Sequence, residues 1–330
     1  MSKASEGIFD DGVVYITKQG SQVGVDGGRI TVYMKDEGEI ASFPMGQVDT
    51  INIFGNINFT TPFVARANEH GIVLNYFTQN GRYRGSFVPE RNTIAEVRRC
   101  QYALSEKESL KIAKEIIRGK IRNSRTLLNR KDVSDTGKLA ALEAETAGPR
   151  DLDGLRGIEG EAAEIYFGLL NGCLIDGWTF ERRTGRPPED HINALLSLTY
   201  SMMKNEVLSA LRQYNLDPFL GILHADRHGR PALALDLQEE FRPIFCDAFA
   251  LRLINKAMLK HEDFQADNHL KDYAFKIYLE KFDEYMQEEF THPRFGYTVS
   301  RRKAVRLQAI LLRKAITGEL KKYYPLEFRK

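Results

Sequence analysis

The chain has 330 residues, 42% of them hydrophobic and 28% charged, ordinary for a globular protein with apolar material for a sizeable core. This argues against a disordered, collagen-like or small disulfide-stapled protein, and three widely spaced cysteines without CxxC spacing argue against a disulfide framework or a Cys-type zinc site. Net charge is only +2, yet residues 98–131 hold 11 basic and 3 acidic side chains, residues 297–330 hold 10 and 2, and residues 1–92 hold 8 and 10. Two basic stretches suit a polyphosphate partner, although solvated helix faces carry the same pattern. No run of about 18 apolar residues occurs and the first residues lack an apolar signal core, so the expectation is a cytoplasmic protein with no membrane partner.

Residues 8–92 read as β structure. Val13-Val14-Tyr15-Ile16 is a β-branched and aromatic run. Segments 21–25 and 29–34 flank Asp26-Gly27-Gly28, which supplies the positive φ angles of a tight hairpin. Ile51 and Ile53 mark a further strand. Segments 72–78 and 83–88 flank Gln79-Asn80-Gly81-Arg82, another hairpin signal. Short strands with frequent turns predict a small sheet-on-sheet domain. Its glycine turns do not match the phosphate-cradling GxxxxGK[ST] or GxGxxG patterns.

From about Asn92 the apolar period changes from 2 to 3.6. Helices are expected near 94–121, 132–146, 159–170, 190–213, 237–258, 273–286 and 300–323. Gly185-Arg186-Pro187-Pro188 marks a loop, with Asp190 a plausible cap. The expected fold class is therefore α+β. Residues 1–92 form the N-terminal β domain and residues 93–330 a larger all-α C-terminal domain.

Two segments carry candidate chemistry. In Gly157-Ile158-Glu159-Gly160, Glu159 lies three and four residues before Ala162 and Ala163, at the edge of the inward helix face. An acid in a first helical turn also complements the helix dipole, so both readings of Glu159 stand. The second segment runs from Gly221-Ile222-Leu223-His224 through Gly229-Arg230-Pro231 to Asp236 and Glu239. Asp236 and Glu239 have the spacing of a capping box, with a helix expected to start near Asp236. His224 and His228 stand four apart, but Ala225 occupies the place of a zincin glutamate and Gly229 and Pro231 interrupt any helix. An imidazole with two carboxylates suits Mn²⁺ or Mg²⁺, and with two basic stretches the substrate reads as a phosphodiester.

These residues resemble the CRISPR-associated adaptation integrase family (Cas protein one, a DNA-integrating endonuclease). The likeness takes in Gly157-Ile158-Glu159-Gly160 with Tyr166-Phe167, Arg182-Arg183 through Pro187-Pro188, and Asn193-Ala194-Leu195-Leu196-Ser197. It continues through Asp217-Pro218, Gly221 to His224, Gly229 to Leu237, Glu239 to Pro243, Gln308-Ala309 and Tyr324-Pro325-Leu326. The resemblance implies a homodimer, built through the N-terminal domain, that assembles with a small ferredoxin-like adaptation partner. It implies binding of a double-stranded prespacer and joining of its 3′ ends into the CRISPR array, together with nuclease activity on branched DNA. It implies Glu159, His224 and Glu239 as ligands of Mg²⁺ or Mn²⁺, with Asp236 an acid near the metal and Asn193 a support. The basic stretches, Arg182–Arg186, Arg227 and Arg230 would meet DNA. A repair nuclease with the same ligands, and a non-catalytic scaffold in which Glu159 and Glu239 are helix-start acids, are the alternatives.

Overall fold

The computed structural model describes residues 7–10, 12–79, 81, 83–89, 95–133, 135–179, 181–184 and 187–328. The expected boundary at Asn92, Asn80 and Arg82 of the second turn, and Gly185-Arg186 lie outside the described residues. The chain divides into two units, Met1–Thr93 with Phe275–Gln287, and Ile94–Ala274 with Glu288–Lys330.

The first unit runs β1 (Gly7–Asp10), β2 (Val13–Ile16), β3 (Gln22–Asp26), β4 (Arg29–Met34), β5 (Gly38–Pro44), β6 (Thr50–Phe54), β7 (Asn58–Phe59), α1 (Thr61–His70), β8 (Val73–Phe77) and β9 (Tyr83–Phe87). One sheet has the order β1-β2-β6-β8-β9 and the other β5-β4-β3-β7. Asp26 pairs with Arg29. Gly27 and Gly28 are thus the two-residue turn, at φ 51° and 78°, values that a Cβ disfavours. Val14, Ile16, Ile51 and Ile53 of one sheet and Val23, Ile30, Val32 and Phe43 of the other share a single core. The two sheets therefore pack on each other, as expected.

Helix α1 was not expected, because it buries only Phe63 and Ala67. Local chemistry forms it. The Thr60 hydroxyl accepts the Phe63 amide, Pro62 sits in the first turn, and Gly71 ends it at φ 75°. The excursion through α1 lets β6 and β8 run parallel.

The second unit contains α2 (Ala95–Tyr102), α3 (Glu106–Asn129), α4 (Gly137–Glu145), α5 (Leu152–Leu170), α6 (His191–Gln213), α7 (Ala232–Gln238), a π-helical turn (Arg242–Asp247) and α8 (Ala248–Asn255). After α9 (Asp272–Gln287), most of which belongs to the first unit, come the hairpin β10 (Glu289–Thr291) and β11 (Thr298–Ser300), and α10 (Arg301–Ile316). Helix α3 opens with a Ser105–Glu108 capping box and packs against α4, α5 and the π turn.

Two expected helix starts move. Helix α5 begins at Leu152, capped by Asp151 on the Gly154 amide at 2.8 Å, so Glu159 lies two turns inside it. Gly154, Gly157 and Gly160 lower helix propensity and hide this in the sequence. Helix α7 begins at Ala232, and the Pro218 carbonyl accepts the Leu233 and Ala234 amides at 3.0 and 3.4 Å. A backbone carbonyl thus does the work expected of an Asp236 cap. The three cysteines are free thiols. Among the described residues no helix is long and apolar enough to cross a membrane.

Candidate active site

Asp236 and Glu239 stand three residues apart and so project from one side of α7. Asp236 is fully buried. Its Oδ2 accepts the amides of Ile222 and Leu223 at 2.6 and 3.0 Å. Its Oδ1 accepts the His224 amide at 2.9 Å and lies 2.5 Å from His224 Nδ1. The helix carboxylate therefore gathers the 222–224 backbone around itself. A carboxylate oxygen accepts, so Nδ1 is the donating nitrogen and, in the neutral ring, the lone pair falls on Nε2. Nε2 lies 3.9 Å from Glu239 Oε1. A Cβ at Gly221 would collide with the His224 carbonyl and the Ala232 methyl, so the loop closes only with glycine there. Arg156 of α5 donates to the Leu223 carbonyl at 3.1 Å and fixes the loop from the other side. His228 is exposed on the turn beyond.

Glu159 and Glu239 meet at Lys120. This lysine projects from α3 with its side chain only 11% exposed. Its ammonium donates to Glu159 Oε1 and stands 2.6 Å from Glu239 Oε2. The second contact is a buried ion pair at hydrogen-bonding distance. Arg242 holds the other oxygen, Oε1, at 3.0 Å. Burial alone would raise the Glu239 carboxyl, but Arg242 and Lys120 outweigh it and hold the group below the usual carboxylate range. Burial would likewise lower Lys120, and Glu239 and Glu159 reverse that. The next residue shows the opposite balance. Glu240 faces Tyr323 and Gln308 at 3.0 and 2.9 Å, with no cation among these partners, and burial pushes it up to about 8.

Arg242 is held in turn. Its guanidinium lies 4.9 Å from the Tyr200 ring centroid, and Arg183 lies 5.2 Å from the same ring. The Tyr200 and Tyr166 hydroxyls donate to the two oxygens of Asp247 at 2.6 and 2.7 Å, and burial raises Asp247 to about 6. Asn193 accepts from Arg183 at 2.8 Å and donates to the Arg182 carbonyl at 2.9 Å. It connects to Glu239 through Arg183, Tyr200 and Arg242. Arg183 points inward, whereas Arg182 is 75% exposed.

The structure brings Glu159, His224, Asp236 and Glu239 into one region of the second unit. Sequence reasoning missed Lys120, Arg242 and Tyr200. Lys120 was counted in the basic stretch, although it falls beside Ile116, Ile117, Ile121 and Ser124 on the buried stripe of α3. Arg118, Arg122 and Arg125 of that stretch pair with Glu115, Glu143 and Glu327. Arg98, Arg99, Lys107, Lys111, Arg130 and Lys131 remain exposed.

Among the described residues no three His, Cys, Asp or Glu side chains stand at metal-binding spacing. A cation nevertheless sits between Glu159 and Glu239, the Lys120 ammonium. Two carboxylates already drawn to one positive charge, beside an imidazole nitrogen with a free lone pair, form a donor set that fits Mg²⁺ or Mn²⁺.

Residues 14–284 match the family model for CRISPR associated protein Cas1. A Methanospirillum hungatei protein named CRISPR-associated endonuclease Cas1 4 is 53% identical over 323 residues, 98% of this chain and 93% of its own. A solved casposase bound to integration product has a TM-score of 0.81 at 20% identity, covering 96% of each chain. A solved Cas6-RT-Cas1–Cas2 complex has a TM-score of 0.79 at 23% identity, over 98% of this chain and 37% of that one. At these identities the two structures establish a shared fold.

Proposed function

The chain belongs to the Cas1 family of CRISPR-associated endonucleases, and we propose that it joins the 3′-hydroxyl ends of short DNA duplexes into a CRISPR array by metal-dependent phosphoryl transfer. The observation that supports this most is the meeting of Glu159 and Glu239 on one buried cation beside His224 Nε2. Glu159, Glu239 and His224 would hold Mg²⁺ or Mn²⁺, which when bound supplies positive charge at the reacting phosphate and acidifies the attacking hydroxyl or water. Asp236 holds His224 in the tautomer that leaves Nε2 able to bind. Arg242 fixes one Glu239 oxygen, so that carboxylate is oriented before substrate arrives. The exposed cations Arg98, Arg99, Lys107 and Lys111, with Lys303, Lys321 and Lys322, bind DNA phosphates. The same ligand set cuts branched DNA when water replaces the hydroxyl.

The partners in this reading are the prespacer duplex, the array, a second copy of the chain and a small ferredoxin-like protein. Residues 1–92 serve dimerisation and residues 93–330 carry the chemistry. The solved complex with Cas2 and the casposase with its integration product support a Cas partner and DNA through shared fold. The test mixes a short duplex bearing 3′-hydroxyls with a supercoiled array plasmid, Mg²⁺ or Mn²⁺, and the protein with its small partner. Covalent joining is expected, lost with chelator and in Glu159→Gln and His224→Ala. Cutting of branched DNA without joining would overturn the integrase reading in favour of a nuclease. Joining that survives either substitution would overturn the ligand assignment.

A further inference from the structure

We propose that Lys120 is the resident counter-ion of this site, and that a divalent ion binds by displacing its ammonium, so that Lys120 sets the site's metal affinity. The proposal rests on the metal-dependent reading above. Glu159 and Glu239 come from α5 and from the end of α7, and the Lys120 ammonium from α3 touches both. Glu239 is nearly fully buried. Two carboxylates this close repel one another unless a cation lies between them.

The second cation, Arg242, cannot fill that role. Its guanidinium is committed to Glu239 Oε1 and flanked by the Tyr200 ring. Lys120 reaches the carboxylates on a flexible four-carbon stem with a compact charge. The oxygens it occupies, Glu159 Oε1 and Glu239 Oε2, are those a divalent ion would take from the same pair. Beside the stem lies a small pocket lined by Ser124, Ala162 and Ala163 together with Tyr166, Tyr200 and Asp247, into which the ammonium would withdraw. Lys120 is a positioning residue in this account. It keeps the carboxylates assembled without metal, and that assembly weakens metal binding.

The test measures Mn²⁺ alone, by the electron paramagnetic resonance signal of the free ion, with melting curves in chelator and in saturating Mn²⁺. Losing a hydrogen-bond partner of a ligating side chain commonly costs about 10- to 100-fold in metal affinity, and losing a competing cation should act on the same scale in the opposite direction. Lys120→Met should bind Mn²⁺ tighter by at least the lower figure. It should melt below the wild type in chelator and gain more from Mn²⁺. Lys120→Gln, which keeps a hydrogen-bonding end without charge, should tighten binding in the same direction and serves if the Met variant does not fold. Lys120→Arg should bind no tighter than the wild type. If the wild type binds Mn²⁺, Glu159→Gln abolishes it, and neither neutral variant binds tighter, the counter-ion role is overturned while the metal reading stands. If no form binds Mn²⁺, the metal reading fails and Lys120's role with it.

Discussion

Replacing Asp236 by asparagine changes one oxygen into an amine group at a carboxylate that accepts from four donors. These are the amides of Ile222, Leu223 and His224, and Nδ1 of the His224 ring. An amide side chain has a single acceptor atom. If that oxygen stays towards His224, the new amine faces the Ile222 and Leu223 amides. If it turns, the amine faces the His224 amide and ring. In the first case two buried amides lose their acceptor, and in the second the His224 amide alone does because the ring can change tautomer; at about 1–3 kcal/mol each, Asp236→Asn should cost about 1–6 kcal/mol.

The turned orientation has a second effect. It favours the imidazole tautomer that accepts at Nδ1 and carries its proton on Nε2, the nitrogen a metal needs. Urea unfolding measures the first effect and Mn²⁺ binding the second, with a loss in affinity of about 10- to 100-fold expected. Asp226→Asn is the control, because Asp226 is exposed and accepts the Gly221 amide at 2.9 Å. The control should cost no more than about 1 kcal/mol. An Asp236→Asn protein within about 1 kcal/mol of wild type, binding Mn²⁺ equally well, would refute the reasoning.

Other perturbations test separate parts of the structure. Burial raises Asp247 to about 6 from an ordinary 3.8, so between those values the folded protein keeps a proton that the unfolded chain has shed. Wild-type stability should therefore fall as pH rises through that window, and Asp247→Asn should gain about 1.4 kcal/mol on wild type between pH 5 and pH 7.5; a constant difference across that range would count against the burial argument. Gly221→Ala should lower stability by about 1–3 kcal/mol, because the new methyl meets the His224 carbonyl and Ala232, and an unchanged melting temperature would show that the loop can relax. Ser105→Ala should cost about 1 kcal/mol by removing the cap of α3, read by thermal unfolding, while DNA joining at low temperature stays intact.

Much of the architecture could be read from local pattern. Gly27-Gly28 announced its turn because two positive φ angles in succession admit few other residues. The change of period near residue 92 marks where long helices begin, because burial on one face imposes a repeat of 2 or 3.6, but the expected all-α region is interrupted by the β10–β11 hairpin and helix α1 precedes it. Helix α1 escaped because capping and the β6–β8 crossover, rather than an apolar stripe, define it. A helix-start reading of Glu159 stayed open only because three glycines masked the first two turns of α5. Asp236 had the spacing of a cap, yet its partners are amides 12 to 14 residues earlier in the chain. Nothing in local spacing distinguishes these amides from a helix's own. Lys120 is the clearest case. Adding charge over a window treats every lysine as solvated, whereas its partners lie on two other helices and only the tertiary fold brings them to it.

The π-helical turn between α7 and α8 bears on which sequence changes the chain tolerates. There the Cys246 amide reaches the Phe241 carbonyl and the Ala248 amide reaches that of Pro243, each five residues back. The turn holds one residue more than an α-helix would use. Removing that residue would rotate everything after it by about 100° relative to the bundle. Leu253 would then occupy the place where Arg252 pairs with Glu288, and Arg252 would be driven into the buried position of Leu251. Insertions and deletions should therefore be rare in 239–248 and frequent in the exposed 225–229 turn, even where the residues themselves vary. The length of this segment, counted in whole residues, constrains the fold more firmly than its composition does.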